Sequence, residues 1–298
     1  MVEVWTEEQW REAQARYANR VRNLLGDPKR AARDWFGDPV RAFLFTYYRF
    51  PFSRLARWDP GTGVVLTGAG AEAFLTRAFY VRNSCGVTAA PETLPEHRWD
   101  GLMRTMELLR AAAERPARFG CFGLHEWAMV YRSSEVRHQA FPLRLPRKEL
   151  EAFVESRSLV CTHFDAYRFF TAEAAPRNAW VLTRDSQLEM EQGGCLHGNM
   201  DLYKWAHKFS PWIGTDLVLD CFQLAMKARE IDMRASPYDL RRLGYAPIPI
   251  ETESGRVQYE KEQRQIANQA IPLRQKLLVA FDSIATGLST NAADFSGP

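Results

Sequence analysis

The stretch Ser210-Pro211-Trp212-Ile213-Gly214-Thr215-Asp216-Leu217-Val218-Leu219-Asp220-Cys221-Phe222-Gln223-Leu224-Ala225-Met226-Lys227-Ala228-Arg229-Glu230-Ile231 decides the fold class. Ile213, Leu217, Cys221, Leu224, Ala228 and Ile231 recur at the spacing that lines one side of an α-helix. At 3.6 residues per turn the stripe spans about five or six turns. Ser210 followed by Pro211 reads as a helix cap with proline at the first helical position, where a missing N–H costs nothing.

Helical signals continue on both sides of this segment. Downstream, a connector punctuated by Pro237, Pro247 and Pro249 leads to a last helix from about Glu253 to Ala285, and the small, polar tail beyond Gly287 is expected to fray. Upstream, Gly198 to Lys208 reads as helical. So does Glu96 to Glu114, through Trp99, Leu102, Met106, Leu109 and Ala113, stopped by Arg115-Pro116. A helix near Arg147 to Ser156 is flanked by β-like runs at Phe141 to Leu145 and Ser158 to Thr162, with Trp180 to Thr183 as a further strand. Trp58 to Pro95 is rich in turn formers and reads as loops with short elements. Its Gly61-Thr62-Gly63 and Gly68-Ala69-Gly70 complete no phosphate-binding loop. Phe43 to Tyr48 fits a strand or a buried helix, and Thr6 to Leu25 is a charged helix capped by Thr6.

The expectation is α+β, predominantly α-helical with a small β-sheet, in a single α-rich catalytic domain over residues 1–298. Within it lie an N-terminal basic-aromatic helical region at 1–60, a site-bearing core at 120–240 and a C-terminal long helix at 251–286. The chain is 46% hydrophobic, enough for a sizeable core. No run of about 18 apolar residues occurs, and Met1 to Trp10 carries charges where a signal peptide would be apolar. A cytoplasmic protein with no membrane contact is expected. The five cysteines lie far apart without a C-x-x-C pair, which suits reduced thiols; Cys161 and Cys195 each stand two residues before a histidine, so each is also a candidate ligand or nucleophile.

Net charge is only +3, so no global field demands a polyanionic partner. Arg11 to Pro60 is locally +6, with eleven basic against five acidic residues, interleaved with Trp35, Phe36, Tyr47, Tyr48, Phe50 and Phe52. That mixture suits either a nucleic-acid surface or an ordinary amphipathic helix.

Five of the six histidines, His125, His138, His163, His197 and His207, fall in the central third. They stand in Gly123-Leu124-His125-Glu126-Trp127, Cys161-Thr162-His163-Phe164-Asp165 and Cys195-Leu196-His197-Gly198-Asn199-Met200-Asp201. On a helix, His197 and Asp201 share a face. On an extended chain, His163 and Asp165 point the same way, unless Asp165 caps the following helix. Adjacent His125 and Glu126 cannot share one face, so one acts while the other supports it.

Imidazole with carboxylate suits a divalent Fe, Mn or Zn ion, with His125, Glu126, His163, Asp165, His197 and Asp201 as candidate ligands. Such an ion activates water or dioxygen, and metal-dependent hydrolysis or oxidation of a small, flat, polar, nucleobase-like substrate is the first expectation. Without metal, a histidine serves as general base and Asp165, Asp201 or Glu126 as the catalytic carboxylate. Trp127, Tyr131, Tyr167 and Tyr203 are candidates to stack on the substrate, with Lys204 and Lys208 for an anionic group; their ordinary alternatives are core packing and a solvated helix face. A non-catalytic binding protein with packed histidines is a third option.

At Gly123 to Arg132, Cys161 to Thr171, Cys195 to Ala206 and Asp-Met-Arg-Ala-Ser-Pro-Tyr-Asp-Leu (Asp232 to Leu240), the chain resembles an actinobacterial protein family commonly labelled 3-methyladenine DNA glycosylase. The resemblance spans most of the chain. It implies a metal-independent DNA N-glycosylase that extrudes an alkylated base into an aromatic pocket, with Asp165 or Asp201 assisting glycosidic cleavage and DNA on the N-terminal basic-aromatic region. The chain has no counterpart of the helix-hairpin-helix glycosylases' Gly-x-Gly turn followed by a catalytic Asp.

Overall fold

A computed structural model describes residues 2–26, 30, 33–35, 37–136 and 138–294. The fold is α+β and predominantly helical, with one small four-stranded mixed sheet. Helix α1 (Glu7–Leu25) opens with a reciprocal cap: the Thr6 hydroxyl accepts from the Gln9 amide, and the Gln9 side chain accepts from the Thr6 amide. Its buried face, Trp10, Ala13, Tyr17, Val21 and Leu25, follows the helical period.

The sheet is made of β1 (Glu3–Trp5), β2 (Val64–Leu66), β3 (Tyr80–Asn83) and β4 (Gly86–Ala89), in the order β1-β2-β4-β3. β1 and β2 run parallel, with Val4 opposite Val65; β3 and β4 form an antiparallel hairpin with Val81 opposite Thr88. The Asn83 side chain closes that hairpin by accepting from the amides of Cys85 and Gly86. β2, β3 and β4 therefore arise in the turn-rich region and β1 before the first helix, not where apolar runs suggested. Phe141 to Leu145 and Ser158 to Thr162 contribute only isolated bridges, Leu143 to Tyr238 and Leu159 to Asn178, and Trp180 to Thr183 forms no strand. Beside the second run, the Asn178 side-chain amide replaces a strand neighbour: it accepts from the Cys161 amide at 2.8 Å and donates to the Cys161 carbonyl at 3.0 Å. A single side chain satisfies this backbone, so no ladder is needed.

The other helices are α2 (Trp99–Glu114), α3 (Leu124–Ala128), α4 (Arg147–Glu155), α5 (Phe164–Tyr167), α6 (Leu196–Lys208), α7 (Thr215–Ala235) and α8 (Glu253–Asp294). Helices α6, α7 and α8 pack against one another, and α7 is buried on several faces through Leu219, Phe222, Ala225 and Met233 as well as the expected stripe. It begins at Thr215, later than Ser210-Pro211 suggested. The Trp212 carbonyl accepts from the Thr62 amide and the Thr215 amide donates to the Asp59 carbonyl, each at 2.9 Å, which keeps the preceding residues non-helical. Helix α8 continues past Ala285 because Phe281, Ile284 and Leu288 extend its buried stripe.

Phe43 to Thr46 is a short helical turn, which resolves the choice between strand and helix there. The nearby rings serve the interior. Trp35 packs on Phe45 and Phe52 with centroids at 6.0 and 5.6 Å, and Phe50 stacks on His207 at 3.8 Å. Phe36 lies outside the described residues. No described helix is long and apolar enough to cross a membrane.

Candidate active site

Arg229 and Asp232 stand one helical turn apart on α7, both fully buried. The short helix α3 meets them through His125 and Glu126. Its entry residue, Gly123, has φ +75°, and a β-carbon there would meet Ala235 Cβ and Tyr259 Cε2 at 3.2 Å each. Glycine therefore permits both the left-handed turn and the close approach. Beyond it, His125 and Glu126 both reach α7. His125 Nε2 lies 2.7 Å from Asp232 Oδ1, while Arg229 Nη1 donates to Asp232 Oδ2 at 2.5 Å and to Glu126 Oε1 at 2.9 Å. The result is a buried row of alternating charge: Glu126, Arg229, Asp232, His125. Adjacent residues that cannot share a face both enter it, each meeting a different residue of α7.

A second row forms around α5 and α6. His163 is the extended residue preceding α5, and its Nδ1 lies 2.8 Å from Glu191 Oε2. Its Nε2 faces Asp201 Oδ2 at 4.0 Å. The Lys204 ammonium bridges two carboxylates, donating to Asp201 at 2.7 Å and Asp165 at 3.0 Å. The Tyr48 hydroxyl donates to Asp201 at 2.6 Å, and Arg184 and Arg168 reach Asp165 at 3.2 and 3.3 Å. Gly198 leaves room here too, since a β-carbon would lie 2.5 Å from Glu191 Oε1 and the carboxylate would have to shift.

His197, in the first turn of α6, stands between the rows. Its ring is edge-on to His125 with centroids at 4.5 Å and stacked on His163 at 5.5 Å. Its Nε2 lies 3.8 Å from Asp232 Oδ2, and the ring makes no hydrogen bond among the described residues. It also lines both neighbouring cavities. The outer one, of about 410 Å³, is bounded by Phe43, Tyr47, Arg49, Glu126, Arg168 and Arg229. The inner one, of about 220 Å³, is bounded by Cys121, His125, Cys161, His163, Cys195 and Tyr259.

Burial and neighbouring charge split the three imidazoles. Burial opposes a proton on His125, but Asp232 outweighs it and raises the pKa well above the usual histidine value. For His163, Glu191 likewise outweighs burial and raises the pKa. His197 goes the other way: burial, reinforced by His125, His163 and Arg229, holds it well below the usual value against the pull of Asp232. Its surroundings disfavour a proton, whereas those of the two imidazoles beside it favour one. Burial works against charge on Asp165, yet Lys204, His163 and Arg184 take it down to about 2. On Lys204, Asp201 and Asp165 overcome burial and keep the ammonium charged. Burial raises the thiols of Cys161 and Cys195 well above their usual value, so both are neutral.

Of the residues singled out in the sequence, His125, His163, His197, Glu126, Asp165 and Asp201 all belong to this buried region. His197 and Asp201 face different partners despite their spacing, since Asp201 turns to Lys204 and Tyr48 while His197 turns to Asp232. Donor atoms lie within 4.8 Å of one another in three sets: His125, His197 and Asp232; His163, Asp165 and Asp201; His163, Glu191 and Cys195. Glu126 joins none of them. Trp127, Tyr131 and Tyr203 are fully buried packing residues, with Trp127 Nε1 bonded to the Ala235 carbonyl and Tyr131 to Glu155. Tyr167 is half-buried against Phe170. The aromatic side chains that do wall the outer cavity include Phe43 and Tyr47, stacked at 4.9 Å and 9°, and Phe169. His207 is a core group against Phe50, its pKa lowered to about 3 by burial and Arg54.

Asp232, Arg229, Glu191 and Tyr48 were not among the expected site residues. Arg229 and Asp232 carried a signal: they fall beside Ala228 and Ile231 on a helix whose several faces are buried, and charges in such a place must be paired. Compared with protein-family models, curated proteins and solved structures, the chain matches none.

Proposed function

We propose that the chain is an acid–base enzyme that hydrolyses a flat, polar small molecule of nucleobase type, with His197 as general base. One observation carries this: His197 is a neutral imidazole without a hydrogen bond, at the junction of both cavities and between two protonated histidines. A neutral ring with an uncommitted nitrogen is ready to take a proton, and its neighbours disfavour that proton's retention. His197 takes a proton from water as the water oxygen bonds to the electrophilic carbon, the bond from that carbon to the leaving group breaks, and the proton passes to the leaving group. Phe43 and Tyr47 offer a stacking wall, with Arg49, Arg168 and Arg229 facing acceptor atoms.

Protein cations already serve the carboxylates: Arg229 on Asp232 and Glu126, and Lys204 on Asp165 and Asp201. That balance favours chemistry without metal. A second reading, a divalent Fe, Mn or Zn ion on His125, His197 and Asp232 supporting hydrolysis or oxidation, is favoured by the closeness of those donor atoms. It requires Arg229 to share or release Asp232 Oδ2.

The test is base release from alkylated purine nucleosides and alkylated duplex DNA by chelated protein, beside His197→Gln and elemental analysis. Turnover that survives chelation and is lost in His197→Gln supports the acid–base reading, and a duplex-only substrate assigns it to N-glycosylase action of the kind the family resemblance implies. Turnover abolished by chelation, with one bound metal per chain, replaces it with the metal reading. Equal turnover by His197→Gln removes His197 from catalysis.

A further inference from the structure

Toward the other end of α6 from His197 is a cleft of about 430 Å³ between α2, the Arg184–Gln187 turn and the C-terminal end of α6. His97, Arg98, Arg104, Arg184 and Lys208 line it, with the Trp205 indole among them, and no acidic residue among the described residues does so. The cations find few acids elsewhere. Arg98 donates to the Lys208 carbonyl, Arg104 donates to the Arg184 carbonyl at 3.1 Å, and only Arg184 meets a carboxylate, Asp165, on its other side. A second, independent feature is Gln187. Its side chain is 5% exposed and lines the cleft, and its Nε2 donor has no partner. An unpaired buried amide N–H is destabilising, and an acceptor arriving in the cleft removes that cost.

We propose that this cleft binds the phosphate group of a phosphorylated ligand. Four guanidinium or ammonium groups around one space, a spare amide donor and a flat indole match several acceptor oxygens attached to a body able to lie on Trp205. The first turn of α2 lies at the cleft through Gly101, so the positive end of that helix adds to the field. Burial, with repulsion from Lys204, lowers the pKa of Lys208; burial, with repulsion from Arg54, lowers that of Arg98. The cleft is separate from the cavity of the proposed hydrolysis and does not depend on it. The two are joined through Arg184, which reaches Asp165, and through α6, which carries Lys204 and Lys208.

The probe is inorganic pyrophosphate, titrated calorimetrically into the full chain. Saturable one-to-one binding is expected. It should weaken at least about tenfold in Arg104→Gln/Lys208→Gln and clearly in Gln187→Met, since each change removes hydrogen bonds to a charged group. Lys148→Gln/Lys276→Gln, with the same change in charge on other surfaces, should bind as the parent does. Circular dichroism establishes that each variant is folded. A single-stranded oligonucleotide that displaces pyrophosphate and loses affinity in the same variants assigns the phosphate to a nucleic-acid backbone; failure to displace it assigns a small molecule. No saturation at millimolar pyrophosphate, or equal weakening in the control variant, overturns the proposal.

Discussion

His125 Nε2 and Asp232 Oδ1 lie 2.7 Å apart although 107 residues separate them, and both side chains are all but inaccessible to water. This contact joins the short helix α3 to the centre of α7, and Arg229 completes it from the other carboxylate oxygen. The pair is a tie between elements as well as part of the site.

Replacing Asp232 by Asn leaves Arg229 facing Glu126 alone and His125 without its anion. Breaking a buried charge pair from one side costs about 3–5 kcal/mol. Asp232→Asn should therefore lower the unfolding free energy by about that much in urea titrations, and the His125 ring signals should move to the neutral form in NMR at pH 7. A variant as stable as the parent contradicts the assigned pairing.

Stability should depend on pH in a set direction. His125 and His163 have raised folded pKa values, so their contribution is present below the unfolded histidine value of about 6.5 and is lost as pH rises through the folded values. On that limb each group costs about 1.4 kcal/mol per pH unit. His197, with a lowered value, acts oppositely and destabilises the fold as pH falls below about 6.5. Asp165 contributes fully above about 3.9 and loses its contribution as pH falls toward about 2. Denaturant unfolding between pH 4 and 10 should show a maximum near neutrality, with a shallower alkaline limb in His163→Gln. An unchanged alkaline limb counts against a protonated His163.

Neutral His197 should be the acylated histidine of the cluster. Diethylpyrocarbonate reacts with unprotonated imidazole, and His125 and His163 hold their protons against Asp232 and Glu191. Peptide mass mapping should find modification at His197 but not at His125 or His163, continuing undiminished at pH 6. Preferential labelling of His163 would reverse the assignment.

Gly198→Ala places a methyl group 2.5 Å from Glu191 Oε1, so the carboxylate must leave His163. Overpacking of this kind costs about 1–3 kcal/mol. The His163 pKa should fall in NMR titration, whereas Asn199→Ala, which loses only bonds to the Gly193 carbonyl and Arg274, should leave it in place. A constant His163 pKa in Gly198→Ala speaks against the Glu191 contact.

Lys204→Met keeps the stem of the side chain and removes the charge between Asp165 and Asp201. Loss of about 3 kcal/mol is expected, with part of it restored by adding Asp201→Asn. Strictly additive effects in the double variant would mean the two residues do not interact.

The sequence by itself determined the helices and the neighbourhood of the chemistry. The helical spacing of Trp10 to Leu25, of Leu102 to Leu109 and of Leu217 to Ile231 follows from local geometry, and the clustering of His125, His163 and His197 marks the region that the fold buries. A small sheet was expected, but its strands were not legible, because segments of three or four residues carry too little alternation and β1 pairs with β2 across about 60 residues. Nor were the partners. Spacing put His197 with Asp201 and left Asp232 and Glu191 aside, whereas packing turned Asp201 to Lys204 and brought Asp232 against His125. Tertiary structure alone decided protonation, since the same imidazole is charged beside Asp232 or Glu191 and neutral between two other cations. A residue's type fixes which proton it can carry; only the charges folded around it at a few ångströms fix whether it does.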